Sequence, residues 1–186
     1  MTDLATAKAE ARKAAFARRK EAHAVDPGTG AALLSRFLAG YRGVPLAGYM
    51  PIRTEIDPVP AMEEASAHGP VSVPVIMRKG APLKFALWEP QTEMVDGAFG
   101  ARIPANPVFI EPEILIVPLV AFDAQGGRLG YGGGFYDRSL EGLRAQRATL
   151  AVGFAYAAQQ AENLPLEDTD QALDIMITEK NIIDFR

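Results

Sequence analysis

At 186 residues the chain is long enough for one domain with a proper core, since folding at that size buries about 70% of the unfolded surface. Its 48% hydrophobic and 23% charged residues are ordinary for a globular protein, and no window reaches the ~18 apolar residues that a membrane span needs. A net charge of −4 excludes bulk attraction to nucleic acid or acidic membranes, and zero cysteines exclude disulfides, thiolate nucleophiles and zinc–cysteine centres.

The N-terminus carries an early acid and no apolar core segment, which does not fit a secretory signal. Together with the missing cysteines this makes the cytoplasm the expected location. Residues 3–23 are rich in Ala, Lys, Arg and Glu and free of Gly and Pro, which predicts a helix whose first turn Thr2 or Asp3 can cap. Lys8 and Arg12 stand four apart on one face of it. By helix chemistry alone they form a solvated basic face, and Arg18, Arg19 and Lys20 read as surface charge. His23 and His68, the only histidines, sit in polar contexts without a partner motif, which argues against Ser-His-Asp or His-metal chemistry.

Asp26-Pro27-Gly28 breaks the first helix, and Leu33, Leu34, Phe37 and Leu38 fall at the spacing of a second one reaching Gly40. Residues 46–50 read as a strand. Asp57 followed by Pro58 signals a helix start, so Glu55 lies in the loop between strand and helix, at the carboxyl end where parallel α/β sheets bind ligands. With no other support, a loop glutamate is simply solvated. A helix to His68 precedes the β-rich run 71–77, whose proline suggests an edge or a bulge. Residues 83–88 alternate as a half-exposed strand ending at Trp88, which is either core or an aromatic wall for a flat heterocycle. Residues 94–107 read as a loop. The nearly continuous apolar run 113–122 has the character of a central parallel strand buried on both faces. A helix from Phe135 to about residue 145, a buried strand over 149–154, a polar loop over 163–170 and a short strand over 174–178 complete the chain. This alternation predicts an α/β fold: one three-layer α/β/α domain over residues 1–186 with a mainly parallel central sheet.

Six glycines fall within the nine residues from Gly126 to Gly134, with Arg128 among them. Glycine tolerates positive φ and lets a ligand reach the backbone, so such a turn can aim several N–H groups at one anion. A helix start at Phe135 adds its free N–H groups, Arg128 adds a full charge, and Asp137 adds a hard oxygen suited to Mg²⁺. The ingredients suggest a metal–nucleotide site. No Gly-Lys-Ser/Thr follows, so this is not a Walker A loop, and the spacing is not that of a dinucleotide fingerprint. On glycines alone a floppy surface loop is the expectation; the arginine, two tyrosines, phenylalanine and aspartate beside them favour a site.

The run Gly-Arg-Leu-Gly-Tyr-Gly-Gly-Gly-Phe-Tyr-Asp-Arg over residues 127–138, led by Val-Pro-x-x-Ala-Phe-Asp over residues 117–123, closely resembles the signature of the 5-formyltetrahydrofolate cyclo-ligase (5,10-methenyltetrahydrofolate synthetase) family. The resemblance covers most of the chain and implies the same three-layer fold. It implies a ligase that takes 5-formyltetrahydrofolate and ATP, with Mg²⁺ as cofactor, to 5,10-methenyltetrahydrofolate, ADP and phosphate. For ATP it implies Lys8, Arg12, Arg128, Gly130, Gly132, Gly133, Gly134 and Tyr136. For the folate it implies Met50, Glu55, Trp88, Tyr131, Gly132, Gly133, Gly134 and Phe135, and Arg53 is a further candidate for the glutamate tail. Arg128 and Tyr136 take catalytic roles, and Asp137 and Asp170 hold Mg²⁺. Without the resemblance, Asp168, Asp170 and Asp174 are loop acids or a cap. Residues 101–107 depart from the family's usual Gly-Ile-x-Glu-Pro ending. The expected partners are small molecules, ATP and 5-formyltetrahydrofolate with or without a polyglutamate tail, rather than nucleic acid or membrane, and the expected state is a monomer. Two other readings share the glycine loop: a different ATP- or sugar-phosphate-using enzyme on the same fold, and a non-catalytic nucleotide- or folate-binding module.

Overall fold

The structure, a computed structural model, describes residues 3–186. Helix α1 (Leu4–Val25) starts where Asp3 Oδ1 accepts the Thr6 N–H at 2.8 Å and ends at Asp26, just before Pro27. Thr2, the other predicted cap, lies outside the described residues. Helix α2 (Ala32–Leu38) runs through a 3-10 turn (Ala39–Tyr41) toward strand β1 (Leu46–Ala47), and helix α3 (Val59–Ser66), β2 (Val71–Val75) and β3 (Lys84–Leu87) follow. Residues predicted as loop instead pair β4 (Met94–Asp96) with β5 (Arg102–Pro104) in a small antiparallel ribbon. Then come β6 (Phe109–Ile110), β7 (Ile114–Pro118), β8 (Ala121–Phe122), β9 (Arg128–Leu129), α4 (Phe135–Gln146), β10 (Leu150–Phe154), β11 (Ile175–Ile177) and β12 (Ile182–Asp184).

Eight strands form the main sheet in the order β12-β11-β10-β7-β1-β2-β3-β6. The five from β11 to β2 are parallel, and antiparallel strands finish both edges. Alternation along the parallel strands sorts the core into two layers. Ile114, Ile116, Val152, Phe154, Ile175 and Ile177 join Leu34 and Leu38 of α2 and Met62 of α3. Leu115, Val117, Ala151 and Met176, alternating with them, join Leu140 and Leu143 of α4. Helices therefore cover both faces, in the three layers that the alternation predicts. Helix α1 adds Ala15 to a third cluster with Val120, Ala121 and Leu129.

Two local differences from the sequence expectation have clear causes. The apolar run 113–122 is not one strand. It leaves the sheet after Pro118, and β8 pairs with β9 in a separate ribbon. The buried Gln159 amide donates to the Leu119 and Val120 carbonyls at 3.0 Å each, satisfying groups freed by the break. Pro74 is not at a sheet edge. Strand β1 stops at Ala47, paired with Ser72, so Pro74 lies beyond its reach and the missing N–H costs no bond to β1.

From β1 the chain crosses through α3 to β2, and from β7 it crosses through α4 to β10 on the opposite face. Adjacent parallel strands whose connections leave in opposite directions open a crevice at their carboxyl ends, and this one lies between the loop after β1 and the glycine turn.

Two glycines offer opposite tests of this packing. A Cβ at Gly142, inside α4, meets nothing within 4 Å, so Gly142→Ala is expected to raise stability by about 0.5–1 kcal/mol through helix propensity. A Cβ at Gly69 would stand 2.8 Å from the Gly43 Cα, so Gly69→Ala is expected to lower it by about 1–3 kcal/mol. Urea unfolding of the two variants checks both signs.

Candidate active site

The loop after β1 is held by the Tyr49 hydroxyl, which donates to the Ile56 carbonyl at 2.8 Å with both residues buried. This closes a short arch that turns Glu55 inward, to 6% exposure. One carboxylate oxygen accepts the Ile52 N–H at 2.9 Å and the other accepts the Tyr131 hydroxyl at 2.7 Å. Glu55 is thus not the solvated loop acid of the simplest reading. Burial pushes its pKa above the ordinary value, against the Ile52 and Tyr131 hydrogen bonds and the charges of Arg19 and Arg53. Met50, at the start of the arch, is half-buried against the α2–α3 side of the core.

Tyr131 belongs to the glycine turn between β9 and α4. Gly132 at φ +100° and Gly134 at φ +68° adopt backbone that side chains rarely take, and Gly134 directly precedes α4. The Gly130 carbonyl accepts Arg12 Nε at 2.7 Å, and the Gly133 carbonyl accepts Arg138 Nη2 at 2.7 Å. The turn is therefore strapped to α1 on one side and to α4 on the other, while Gly132 and Gly133 stay exposed.

Charges converge behind it. Arg128 is 5% exposed, and its Nη2 meets Asp137 Oδ1 at 2.5 Å, an oxygen that also accepts the Gln171 N–H at 2.8 Å. Burial lowers the Arg128 pKa and Asp137 and Asp170 oppose the shift; a guanidinium remains protonated in either case. Lys8 Nζ lies 2.6 Å from Glu167 and 3.0 Å from Asp170. Its burial works against the ammonium, but the two acids outweigh it and raise the Lys8 pKa. Among the described residues, two buried side-chain atoms have no hydrogen-bond partner, Arg128 Nε and the Tyr136 hydroxyl. Burial, then the Glu55 charge, pushes the Tyr136 pKa up, so it carries a neutral O–H. Unpaired buried donors are rare enough to need an explanation, and an acceptor oxygen, of solvent or of a bound ligand, supplies one.

The fold thus gathers Lys8, Arg12, Glu55, Arg128, Tyr131, Tyr136, Asp137, Asp170 and the glycines around one crevice, with Phe135 at the first turn of α4. Trp88 is the exception. Strand β3 is antiparallel to β2, so its end returns to the amino edge of the sheet, where the Trp88 N–H donates to the Val71 carbonyl. Its side chain is 4% exposed in the core cluster under α3, not beside the glycine turn.

Arg19 corrects the opposite error. Read as surface charge, it is 1% exposed and bonded to Thr54 and Tyr131. Its spacing of seven from Arg12 and eleven from Lys8 puts all three on one face of α1, a signal present in the sequence. Neither histidine joins the site: His23 meets Tyr156, and His68 lies just past α3 at the amino edge. No cluster of three or more His, Cys, Asp or Glu suited to a metal stands alone among the described residues.

Comparisons with known proteins identify the family. A profile of the 5-formyltetrahydrofolate cyclo-ligase family matches residues 6–179. The chain is 35% identical over 144 residues to the 5-formyltetrahydrofolate cyclo-ligase of Escherichia coli K12, covering 74% of this chain and 79% of that one. A stretch of 95 residues is 44% identical to the enzyme of the same name from Haemophilus influenzae, spanning 50% of this chain and 46% of its relative. The solved structure of Aquifex aeolicus 5,10-methenyltetrahydrofolate synthetase superposes with a TM-score of 0.77 at 29% identity, over 96% of this chain and 93% of that one. Given a family profile that runs from the first helix to beyond the last parallel strand, this chain belongs to the 5-formyltetrahydrofolate cyclo-ligase family.

Proposed function

We propose that this chain converts 5-formyltetrahydrofolate and ATP into 5,10-methenyltetrahydrofolate, ADP and phosphate, with Mg²⁺ as cofactor, as a single domain over residues 1–186. The observation that supports this most is the pair of buried donors without acceptors among the described residues, Arg128 Nε and the Tyr136 hydroxyl, beside the glycine turn, with the Tyr136 hydroxyl also in the field of Glu55. They suit an oxygen on which charge develops during phosphoryl transfer.

The formyl group is amide-like, and its oxygen leaves poorly. In the proposed sequence that oxygen attacks the γ-phosphorus of ATP, ADP departs, and the oxygen becomes a phosphate ester. N10 then attacks the activated formyl carbon, and release of phosphate with loss of the N10 proton leaves the cyclic methenyl product. No protein nucleophile is needed, in keeping with a chain that has no cysteine and no histidine at the site. Lys8, Arg12 and Arg128 neutralise phosphate charge, and Gly130, Gly132, Gly133 and Gly134 let the polyphosphate approach the backbone. Tyr136 donates to the transferring group. Met50 and Phe135 give the folate apolar surface, with Glu55 and Tyr131 as its polar partners. Trp88, buried at the far edge, supports the core and has no place in this scheme.

Asp137 and Asp170 would hold Mg²⁺. Two carboxylates suffice for an ion that takes its remaining ligands from phosphate and water, and both acids already act on Arg128. Bound there, Mg²⁺ supplies charge neutralisation for the phosphoryl group. Lys8, which holds Asp170 in this structure, is then available to phosphate.

The direct test is purified protein with 5-formyltetrahydrofolate, ATP and Mg²⁺, following the near-ultraviolet absorbance of the methenyl product, each component omitted in turn. Product only in the complete mixture is expected; product without ATP, or none at all, contradicts the proposal. Asp137→Asn retains a partner for Arg128 and should lower kcat on the order of 100-fold or more with little change in melting temperature. Asp137→Ala should also unfold more easily, by about 3–5 kcal/mol, because it strands the buried guanidinium.

Glu55→Gln separates function from stability. A carboxyl whose folded pKa lies above the ordinary 4.5 destabilises the fold as pH rises through that interval, since the unfolded chain ionises first. The Gln variant should therefore melt like the wild type below pH 4.5 and above its melting temperature at neutral pH, while its KM for folate rises. Thermal melts across pH, set beside steady-state kinetics, check both arms.

A further inference from the structure

Arg19 has no part in the roles above, yet it is among the most deeply buried side chains of the molecule, at 1% exposure. Its Nε donates to Thr54 Oγ1 at 3.0 Å and its Nη1 to the Tyr131 hydroxyl at 2.6 Å. The rings of Phe16 and Tyr131 lie 5.0 and 5.6 Å from the guanidinium carbon. Among the described residues it makes no ion pair. A permanently charged group taken out of water without a carboxylate in contact is costly, and a helix arginine that served only solubility would stay in solvent.

The geometry shows where that charge is directed. Tyr131 accepts from Arg19 and donates to Glu55 Oε1 at 2.7 Å, so every donor in the chain Arg19, Tyr131, Glu55 points the same way. Hydrogen bonds aligned head to tail polarise one another in a low-dielectric setting. Arg19 also holds Thr54, the residue before Glu55. A single guanidinium thus grips both the backbone arch that carries the glutamate and the phenol that pins its side chain.

We propose that Arg19 is a positioning residue for the folate half of the site: acting through Tyr131 and Thr54, it holds the Glu55 carboxylate charged and aimed to accept N–H donors of the folate ring. This rests on the reading that Glu55 meets the folate. The groups facing Glu55 are Arg19 from α1, Arg53 from its own loop, Tyr49 after β1, Tyr131 from the glycine turn and Tyr136 from α4. Only the two arginines are cations. Arg53 is exposed, where solvent screens it, whereas Arg19 is not. Burial, which favours the neutral acid, is opposed first by the Ile52 and Tyr131 hydrogen bonds and then by the charge of Arg19, so removing Arg19 takes away that charge together with the donor that orients the Tyr131 hydroxyl.

The test uses Arg19→Met, Arg19→Lys and Tyr131→Phe in the full chain, with steady-state kinetics in 5-formyltetrahydrofolate and MgATP across pH. Arg19→Met should raise the folate KM on the order of tenfold while the ATP KM moves less than about twofold. Its acid limb of kcat/KM for folate should move up by about one pH unit. Arg19→Lys, which keeps the charge but not the fork, should restore the acid limb and only part of the KM. Added to Tyr131→Phe, Arg19→Met should raise the folate KM by less than it does alone, since the Tyr131 branch is already broken and only the Thr54 contact and the charge remain to be lost.

A Met variant that melts like the wild type and keeps its folate KM and acid limb overturns the proposal, as do equal rises in the folate and ATP KM with an unmoved limb. If the Met variant does not fold, Tyr131→Phe decides. Its acid limb must itself move up, and an unmoved limb overturns the relay. Failure of the underlying reading looks different: wild-type protein without folate-dependent turnover, or Glu55→Gln with an unchanged folate KM, removes the basis for the role of Arg19 whatever its variants do.

Discussion

Strand β7 pairs with β1 on one side and β10 on the other, all three parallel, and the position of the site follows from that arrangement. Four of the five β7 residues are fully buried aliphatics, so a slip of one residue would exchange the two core layers, and the register is tightly specified. Because the connections from β1 and β7 lie on opposite faces, no helix crosses between their carboxyl ends. The loop after β1 and the glycine turn meet there, and the Tyr131–Glu55 hydrogen bond joins them.

Around that joint the protein maintains several arrangements that do not favour stability. Glu55 is buried as a carboxyl whose ionised form is disfavoured, and among the described residues Arg128 and Tyr136 keep buried donors without partners and Arg19 lies out of solvent without an ion pair. The two aliphatic core layers offset these costs. On the proposed reading, the site gains donors and charges fixed before substrate arrives, so that little reorganisation would accompany the chemistry. The basic face of α1 contributes by reaching three different places: Lys8 the acids of the 167–170 loop, Arg12 the Gly130 carbonyl, and Arg19 the arch at Thr54. An alanine-rich helix with Ala15 as its buried apolar residue is thereby tied to the rest of the fold by its charged side chains as well as by packing.

Much of this is legible in the sequence because the signals are local. The apolar run of β7, the glycine turn and the start of α4 at Phe135 lie in one stretch of chain interrupted only by the short β8–β9 ribbon, and the alternation of strands and helices implies the layers. Glu55 is legible as a loop acid at a strand's carboxyl end, but its burial depends on Tyr131, 76 residues away. Trp88 shows the limit more sharply. Its strand is recognisable, whereas its direction is not, and an antiparallel β3 carries the tryptophan to the wrong end of the sheet for a ligand wall. Arg19 stands on the same face as Lys8 and Arg12, but composition treats it as one of three adjacent basic residues. Only helical spacing separates it from Arg18, which stays near the surface and bonds the Ala158 carbonyl. The 94–96 and 102–104 ribbon and the final antiparallel strand are built from strands of three residues, too short to show a period.

The central claim is that the loop after β1 and the glycine turn form one site for both substrates. The most direct measurement is a titration of ¹⁵N-labelled protein with 5-formyltetrahydrofolate, then with MgATP, following the backbone amides. The account predicts that folate shifts the amides of Glu55 and Tyr131 together, that MgATP extends the change to Gly132, Gly133, Gly134 and Asp137, and that the Trp88 amide stays still. Shifts confined to the amino edge of the sheet, around Gly69 and Trp88, would contradict it.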